Sequence, residues 1–288
     1  MNIKKYFRRS IHYLLKGVPE QHITAQISYL SPNGLLKERT ALITGGTSGI
    51  GFAIAKCFLQ AGAKVIITGR TEDKLKEKCL ELEKFESCRG CVSGFVWDVM
   101  DISHFEACLN RCLEKVGKID ILVNNAGTLG GEFGHTTETE YDTVLDTNLK
   151  GAFFLSQCIG KYMKENGIRG NILNIASSSS LRPATSAYTL SKWGIRGLTV
   201  GLAKLLIPCG IVVNGLAPGP TATPMLGKFG DEELTLASNP IGRYVTPEEI
   251  ANMAVVLVSN MGRSIVGDIV YMTGGAGIVT LDDIKYSF

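Results

Sequence analysis

Short Val- and Ile-rich runs separated by helix-length segments constrain this chain more than any other feature. The runs fall at Thr40–Thr44, Lys64–Thr68, Gly94–Asp98, Ile119–Asn124, Gly170–Ala176, Ile211–Leu216 and Ile269–Met272. They are continuously apolar rather than alternating, as expected of strands buried on both faces of a parallel sheet. Ile50–Gln60, Glu72–Lys84 and Ile102–Lys115 have helical length and lie between them. Strand–helix alternation over most of the chain predicts one α/β domain, a doubly wound Rossmann-type parallel sheet with helices on both faces. This domain is expected to occupy residues 37–288.

Residues 1–36 read differently. Ile3, Phe7, Ile11 and Leu14 or Leu15 recur at helical spacing, with Lys4, Lys5, Arg8 and Arg9 between them. Such a basic amphipathic helix can rest on a membrane surface or on protein, and packing on its own protein or a sister subunit is the simpler expectation. Ser31-Pro32-Asn33-Gly34 reads as the turn that closes this extension.

Bulk properties exclude several classes. No apolar run reaches the roughly 18 residues of a membrane span, and a net charge of +3 gives no argument for nucleic acid. Eight cysteines without a secretory signal suggest reduced thiols in the cytoplasm. Cys88 and Cys91 have metal-like spacing, and Cys108 and Cys112 stand four apart. A zinc site needs a second well-spaced pair, so structural thiols and no metal are expected.

The first strand ends in Thr44-Gly45-Gly46-Thr47-Ser48-Gly49-Ile50-Gly51, and a helix follows at once. Free backbone N–H groups and the helix dipole both face an anion bound at such a junction, and glycines allow close approach. A dinucleotide pyrophosphate is the expected ligand, held by Gly45, Thr47, Ser48, Gly49, Ile50 and Gly51. About 20 residues further on, an acid would bind the ribose 2′-hydroxyl of NAD, whereas an arginine suits the phosphate of NADP. The second strand ends at Arg70 with no acid, which favours NADP(H) over NAD(H). Asp98, followed by Val99, is placed either to accept a hydrogen bond from adenine or to cap the next helix. Asn124-Asn125-Ala126-Gly127 closes the fourth strand on the same crevice, where small residues admit a cofactor.

Tyr188-Thr-Leu-Ser-Lys192 sets a phenol and an amine on one helix face. A phenol is a poor base at neutral pH, but a neighbouring ammonium, helped by an oxidised nicotinamide ring, favours the phenolate. Tyr188 can then exchange a proton with a substrate oxygen while hydride moves at the adjacent carbon. Ser177 follows the fifth strand, where a hydroxyl can stabilise charge on that oxygen. Asn148 lies within a long helical stretch and there either completes a buried network or disturbs the helix to hold a water.

With these motifs in order, about residues 37–277 resemble the short-chain dehydrogenase/reductase family of the roughly 250-residue kind. The resemblance rests on Thr44-Gly45-x-x-x-Gly49-x-Gly51, Asn124-Asn125-Ala126-Gly127, Asn148, Ser177, Tyr188-x-x-x-Lys192 and Pro218-Gly219. It implies a carbonyl–alcohol oxidoreductase, such as an NADPH-dependent 3-oxoacyl-thioester reductase. Tyr188 would be the acid/base, and Lys192 would lower its pKa and bind nicotinamide ribose. Ser177 would orient substrate, and Asn148 would hold a relay water against Lys192. Asn125, Ala126, Gly127, Pro218, Gly219, Thr221 and Thr223 would line the cofactor, Thr223 at the nicotinamide carboxamide. Two departures stand out. The interval from Ser177 to Tyr188 is short, which leaves Ser178 or Ser179 as alternatives, and Pro220 replaces a bulkier apolar residue.

Met225, Leu226, Phe229, Leu234 and Leu236 predict an apolar lid over the substrate. Apolar surplus on the helices around Tyr141–Lys164 and Ala187–Leu206 predicts a homodimer or homotetramer. The competing reading is a non-catalytic NADP(H)-binding sensor or scaffold, which would have no need of a matched proton relay.

Overall fold

The computed structural model describes residues 34–84, 90–228 and 234–280. The expected basic N-terminal helix, most of the Ser31–Gly34 turn, Cys88 and Phe229 lie outside the described residues. Those described belong to a compact unit spanning Ser31–Phe288. Leu36 is completely buried and its N–H donates to the Ala61 carbonyl, so the packed domain already includes this residue.

Among the described residues, seven strands form one sheet: β1 (Thr40–Ile43), β2 (Lys64–Gly69), β3 (Val92–Val96), β4 (Ile121–Asn124), β5 (Asn171–Ile175), β6 (Val212–Pro218) and β7 (Ile269–Met272). Their order is β3-β2-β1-β4-β5-β6-β7, and every pairing is parallel. The strand order reverses direction between β1 and β4, which opens a crevice at the strand C-termini, the usual ligand position in such a sheet.

Among the described residues, seven α-helices cover the two faces: α1 (Gly49–Gln60), α2 (Glu72–Glu83), α3 (Phe105–Val116), α4 (Glu138–Leu145), α5 (Gly151–Glu165), α6 (Ala187–Leu206) and α7 (Pro247–Val258). Alternate residues of each central strand serve opposite faces. Ile43, Ile67 and Val123 join Ile54, Phe58 and Ile250 in one apolar layer. Leu42, Ile66 and Leu122 join Phe105, Leu109, Leu155 and Ile159 in the other. Burial of the central strands on both faces explains why their sequences are largely apolar.

Several element boundaries differ from expectation by one or more residues. The third strand runs Val92–Val96 rather than Gly94–Asp98, because its pairing with β2 ends at Gly69↔Val96 while apolar side chains continue through Trp97 and Val99. The fourth begins at Ile121; Ile119 is buried ahead of it. The single long helix expected around Tyr141–Lys164 is α4 and α5 joined by a π turn, Asp146–Lys150, with Asn148 inside it. On α3, Cys108 and Cys112 stand one turn apart, and burial pushes the Cys112 thiol up to about 12. No helix among the described residues is long and apolar enough to cross a membrane.

The loop preceding α7 closes through a capping box. Thr246 Oγ1 accepts from the Glu249 N–H at 3.3 Å, and Glu249 accepts the Thr246 N–H at 2.8 Å. Arg243 grips the same carboxylate with two hydrogen bonds, 2.9 and 2.7 Å. The Arg243 bonds, ahead of the Thr246 N–H, hold Glu249 down to about 2. A depressed carboxylate stabilises the fold above its ordinary pKa and loses that contribution as pH falls through the folded value. The carboxylate is 40% exposed, and after discounting for solvent screening the contribution is about 1 kcal/mol. Glu249→Gln should therefore lower the melting temperature by about 2 °C at pH 7. Thermal scans between neutrality and about pH 2 should show this gap closing as the native carboxylate takes up its proton.

Candidate active site

Most of the residues singled out from sequence converge on one cavity of about 420 Å³ at the C-terminal edge of the sheet. At its base, β1 turns into α1. Gly45 and Gly49 have φ of 63° and 52°, a region that costs a residue with a β-carbon but not glycine. A β-carbon on Gly45 would lie 3.0 Å from Ala126 Cα, and one on Gly51 only 2.3 Å from Asn125 Nδ2. Gly51 therefore does not line the cavity; it lets Asn125 pack beneath the turn. Asn125 Nδ2 donates to the Thr44 and Gly45 carbonyls at 2.8 and 3.2 Å. Thr44 Oγ1 in return accepts the N–H groups of Asn125 and Ala126, each at 3.0 Å.

Ser48 caps α1 in an extended conformation without a side-chain cap bond, and the first turn carries no acid. Its N–H groups and dipole are thus left to an anion. Thr47, Ser48, Gly49 and Ile50 line the cavity, as do Asp98 and Val99 from the segment after β3, and Asn125, Ala126 and Gly127 from the end of β4. Asp98 Oδ1 accepts the Met100 N–H at 2.9 Å, so the side chain shapes its own turn beside the cavity rather than capping α3. Pro218, Gly219, Thr221 and Thr223 complete the wall from the end of β6.

At the ribose end, Arg70 is joined by Lys74, which sequence reading did not single out. Lys74 lies in the first turn of α2, four residues beyond Arg70, so one helical turn brings both cations to the same wall. The i,i+4 spacing was the available signal. Nearby Glu72 is paired with Lys76 at 2.8 Å. The exposed glycine cradle, the open helix N-terminus and these cations fit a phosphate-bearing dinucleotide. Trp97, Thr128, Leu129, Thr143 and Thr147 also line the cavity without having been anticipated.

Three of the four proposed catalytic residues meet in this cavity. Ser177, Tyr188 and Lys192 line it together. Ser177 has extended backbone at the start of a 3-10 turn, Ser178–Leu181, and its hydroxyl acts on the Tyr188 phenol to favour the phenolate. Ser178 and Ser179 are not on the lining, so of the three serines it is Ser177 that faces the crevice despite the short interval. Lys192 is 5% exposed; its Nζ donates to the Ile175 carbonyl at 2.8 Å and lies 5.7 Å from the Tyr188 ring centre. Burial brings the Lys192 amine down to about 8. The phenol of Tyr188 is raised by burial, and the Ser177 hydrogen bond pulls the other way. From the protein's own groups alone, then, burial outweighs the expected acidification of Tyr188.

Asn148 is elsewhere. It is buried and does not line the cavity. Its Oδ1 accepts the Thr128 N–H at 2.7 Å, while Nδ2 donates to the Thr128 carbonyl at 2.9 Å and to Ser191 Oγ at 3.0 Å. Ser191 Oγ donates in turn to the Tyr188 carbonyl at 2.6 Å. The side chain is thus committed to joining the post-β4 loop to the first turn of α6.

Residues 45–277 match a family model described as enoyl-(acyl carrier protein) reductase. A 3α-hydroxysteroid dehydrogenase from Mediterraneibacter gnavus is 36% identical over 248 residues, covering 84% of this chain and 98% of that protein. A crystal structure of 3-ketoacyl-(acyl-carrier-protein) reductase from Brucella melitensis complexed with NADH superposes with a TM-score of 0.75 at 31% identity, covering 84% of this chain and all of the other. The actinorhodin polyketide ketoreductase with NADPH gives a TM-score of 0.76 at 33% identity, over 83% of this chain and 97% of the other. With one sheet, one crevice and similarity along nearly its whole described length, the chain belongs to the short-chain dehydrogenase/reductase family, oxidoreductases that act on CH–OH and keto groups.

Proposed function

We propose that this enzyme is an NADP(H)-dependent reductase of carbonyl compounds, with 3-oxoacyl thioesters as its type of substrate. The observation that carries the reading is the sharing of one cavity by the Ser177–Tyr188–Lys192 group and the glycine cradle. A nicotinamide cofactor, when bound, supplies the hydride. Tyr188 donates its phenolic proton to the carbonyl oxygen, Ser177 hydrogen-bonds that oxygen as it gains charge, and Lys192 steadies the phenolate left behind. At an effective dielectric of ~20, unit charges about 6 Å apart attract by about 3 kcal/mol, roughly a hundredfold in acidity. That is enough to offset much of the burial that holds the phenol neutral.

The relatives' names span steroid and acyl substrates, and the Brucella melitensis and actinorhodin structures were solved with NADH and NADPH respectively. Preference for NADP(H) here rests on Arg70 and Lys74, with Asp98 the one carboxylate among the described residues lining the cavity. The free thiols among the described residues support a cytoplasmic setting. Phe153 on α5, with Trp193, Val200 and Leu205 on α6, are exposed apolar side chains on adjacent helices, which supports the homodimer or homotetramer. Light scattering should give a multiple of 31.1 kDa; a monomer would reject that assembly.

Two further outcomes test the chemistry. Tyr188→Phe should lower NADPH-dependent ketone reduction by at least about 100-fold, and Arg70→Ala with Lys74→Ala should raise the KM for NADPH by about 100-fold while moving that for NADH little. An active Tyr188→Phe protein would remove Tyr188 from the mechanism. Lys192→Met should abolish activity yet stabilise the fold. The amine's folded pKa of about 8 lies below its ordinary 10.5, so its charge costs stability below pH 8 and the cost disappears as pH rises toward 10.5. Allowing for the lost Ile175 hydrogen bond, the gain at pH 7 is about 2 kcal/mol, readable by denaturant titration and shrinking above pH 8.

A further inference from the structure

Two apolar segments leave the sheet on either side of β5, whose end carries Ser177. One follows β4 and runs Leu129-Gly130-Gly131-Glu132-Phe133; the other follows β6 and contains Met225 and Leu226. Leu129, Met225 and Leu226 line the cavity yet remain 41%, 50% and 45% exposed, and Phe133 at the outer end of the first segment is 90% exposed. Large apolar side chains exposed around a cavity mark a surface that a ligand covers.

The first segment is a fixed strap. The Ala187 and Tyr188 N–H groups donate to the Gly131 and Gly130 carbonyls at 2.8 and 3.3 Å, and the Phe133 N–H donates to the Thr185 carbonyl at 3.0 Å. Glu140 Oε1 accepts the Gly131 N–H at 2.9 Å. Gly131 has φ of 77°, and a β-carbon there would sit 2.5 Å from that of Ala187. The strap is therefore stitched to the residue that carries the reacting proton, and Leu129 is presented at a set position beside it.

The charge in the cavity lies elsewhere. Arg70, Lys74 and Asp98 leave the ends of β2 and β3, beyond β1 and β4 from β5, and Lys192 is engaged by Ile175. Among the described residues lining the reacting end, no charged side chain is left to pair with a carboxylate, phosphate or ammonium on a substrate. Building on the reductase reading above, we propose that the substrate is a neutral ketone whose apolar body lies between the Leu129–Phe133 strap and Met225–Leu226. This arrangement selects alkyl, acyl or fused-ring ketones and disfavours sugars and sugar acids, whose hydroxyls and charges would lose water without gaining partners.

The test is kcat/KM with NADPH for linear methyl ketones from butanone to decanone, with fructose as the polyhydroxylated member. In the wild type the value should rise by about 4-fold per methylene over the first additions, the equivalent of about 0.8 kcal/mol each, carried by KM, with fructose the poorest substrate. Leu129→Ser and Met225→Ser, both at exposed positions, should each flatten that slope by reducing turnover of the longer ketones about 10-fold. Leu80→Ser, at an exposed site on α2 outside the cavity, should keep the wild-type slope. A flat wild-type profile, a preference for fructose or an undiminished slope in both cavity variants would overturn the inference while leaving the reductase reading in place. Failure to reduce these ketones while a 3-oxoacyl thioester is turned over would overturn this inference alone; failure with both despite NADPH binding, followed by cofactor fluorescence, would overturn the reductase reading with it.

Discussion

Everything at the reacting end depends on keeping an ammonium where water does not reach it. Lys192 is almost wholly enclosed, and its Nζ bonds the carbonyl of Ile175, the last residue of β5. Removing a cation from water costs several kcal/mol unless its donors are met, and the fall of the amine to about 8 expresses that cost. The fold meets part of it by topology. β5 lies between β4 and β6, so its terminal carbonyl projects into the crevice at the level of the first turns of α6. The same enclosure that makes the charge expensive makes its pull on a phenolate strong. Stability is thus exchanged for an electrostatic setting that a solvated lysine would not provide.

A charge interaction of this kind has effect only if the phenol stays in place, and the first turns of α6 are held from several directions. Ser186 caps the helix by accepting the Thr189 N–H at 3.1 Å. The Gly130–Gly131 carbonyls take the N–H groups of Ala187 and Tyr188, which a helix would otherwise leave unpaired. On the other side, Asn148 and Ser191 link the Tyr188 carbonyl to Thr128. The π turn at Asp146–Lys150 is what inserts Asn148 into that position. After it the helix passes so close to the segment following β3 that a β-carbon on Gly151 would lie 2.5 Å from the Val99 carbonyl. An irregular turn is tolerated here because the side chain it delivers satisfies three polar groups at once.

Much of this was legible in the residues, for identifiable reasons. Strands buried on both faces leave a continuous Val/Ile signature, and the glycine turn and Tyr-x-x-x-Lys spacing each encode local geometry directly. What escaped were features set by tertiary contact. Nothing in the run from Gly94 to Asp98 says that the ladder ends at Val96, since Trp97 and Val99 are apolar for the sake of packing and the cavity wall rather than the sheet. The π turn has no sequence period of its own; Asn148 hinted at a disturbance, but the identity of its partners, Thr128 and Ser191, required the fold. The serine run left Ser177 ambiguous because its neighbours share its chemistry, and only the change from extended backbone to a 3-10 turn separates them. Lys74 was overlooked because a lysine in an exposed helix turn has no distinguishing mark until Arg70 is seen beside it.

The distribution of charge along the cavity joins these points. Cations gather at the ends of β2 and α2, where an exposed phosphate can meet them, while the segments around β5 contribute Leu129, Met225 and Leu226. Apolar walls near Tyr188 keep the local dielectric low, so the side chains proposed to select an apolar substrate would also maintain the strength of the Lys192–Tyr188 interaction. Substrate choice and proton affinity are then not independent properties of this crevice. A wall made more polar would admit water to the ammonium, move its pKa back toward that of a solvated lysine and weaken its hold on the phenolate, even with every catalytic atom in place.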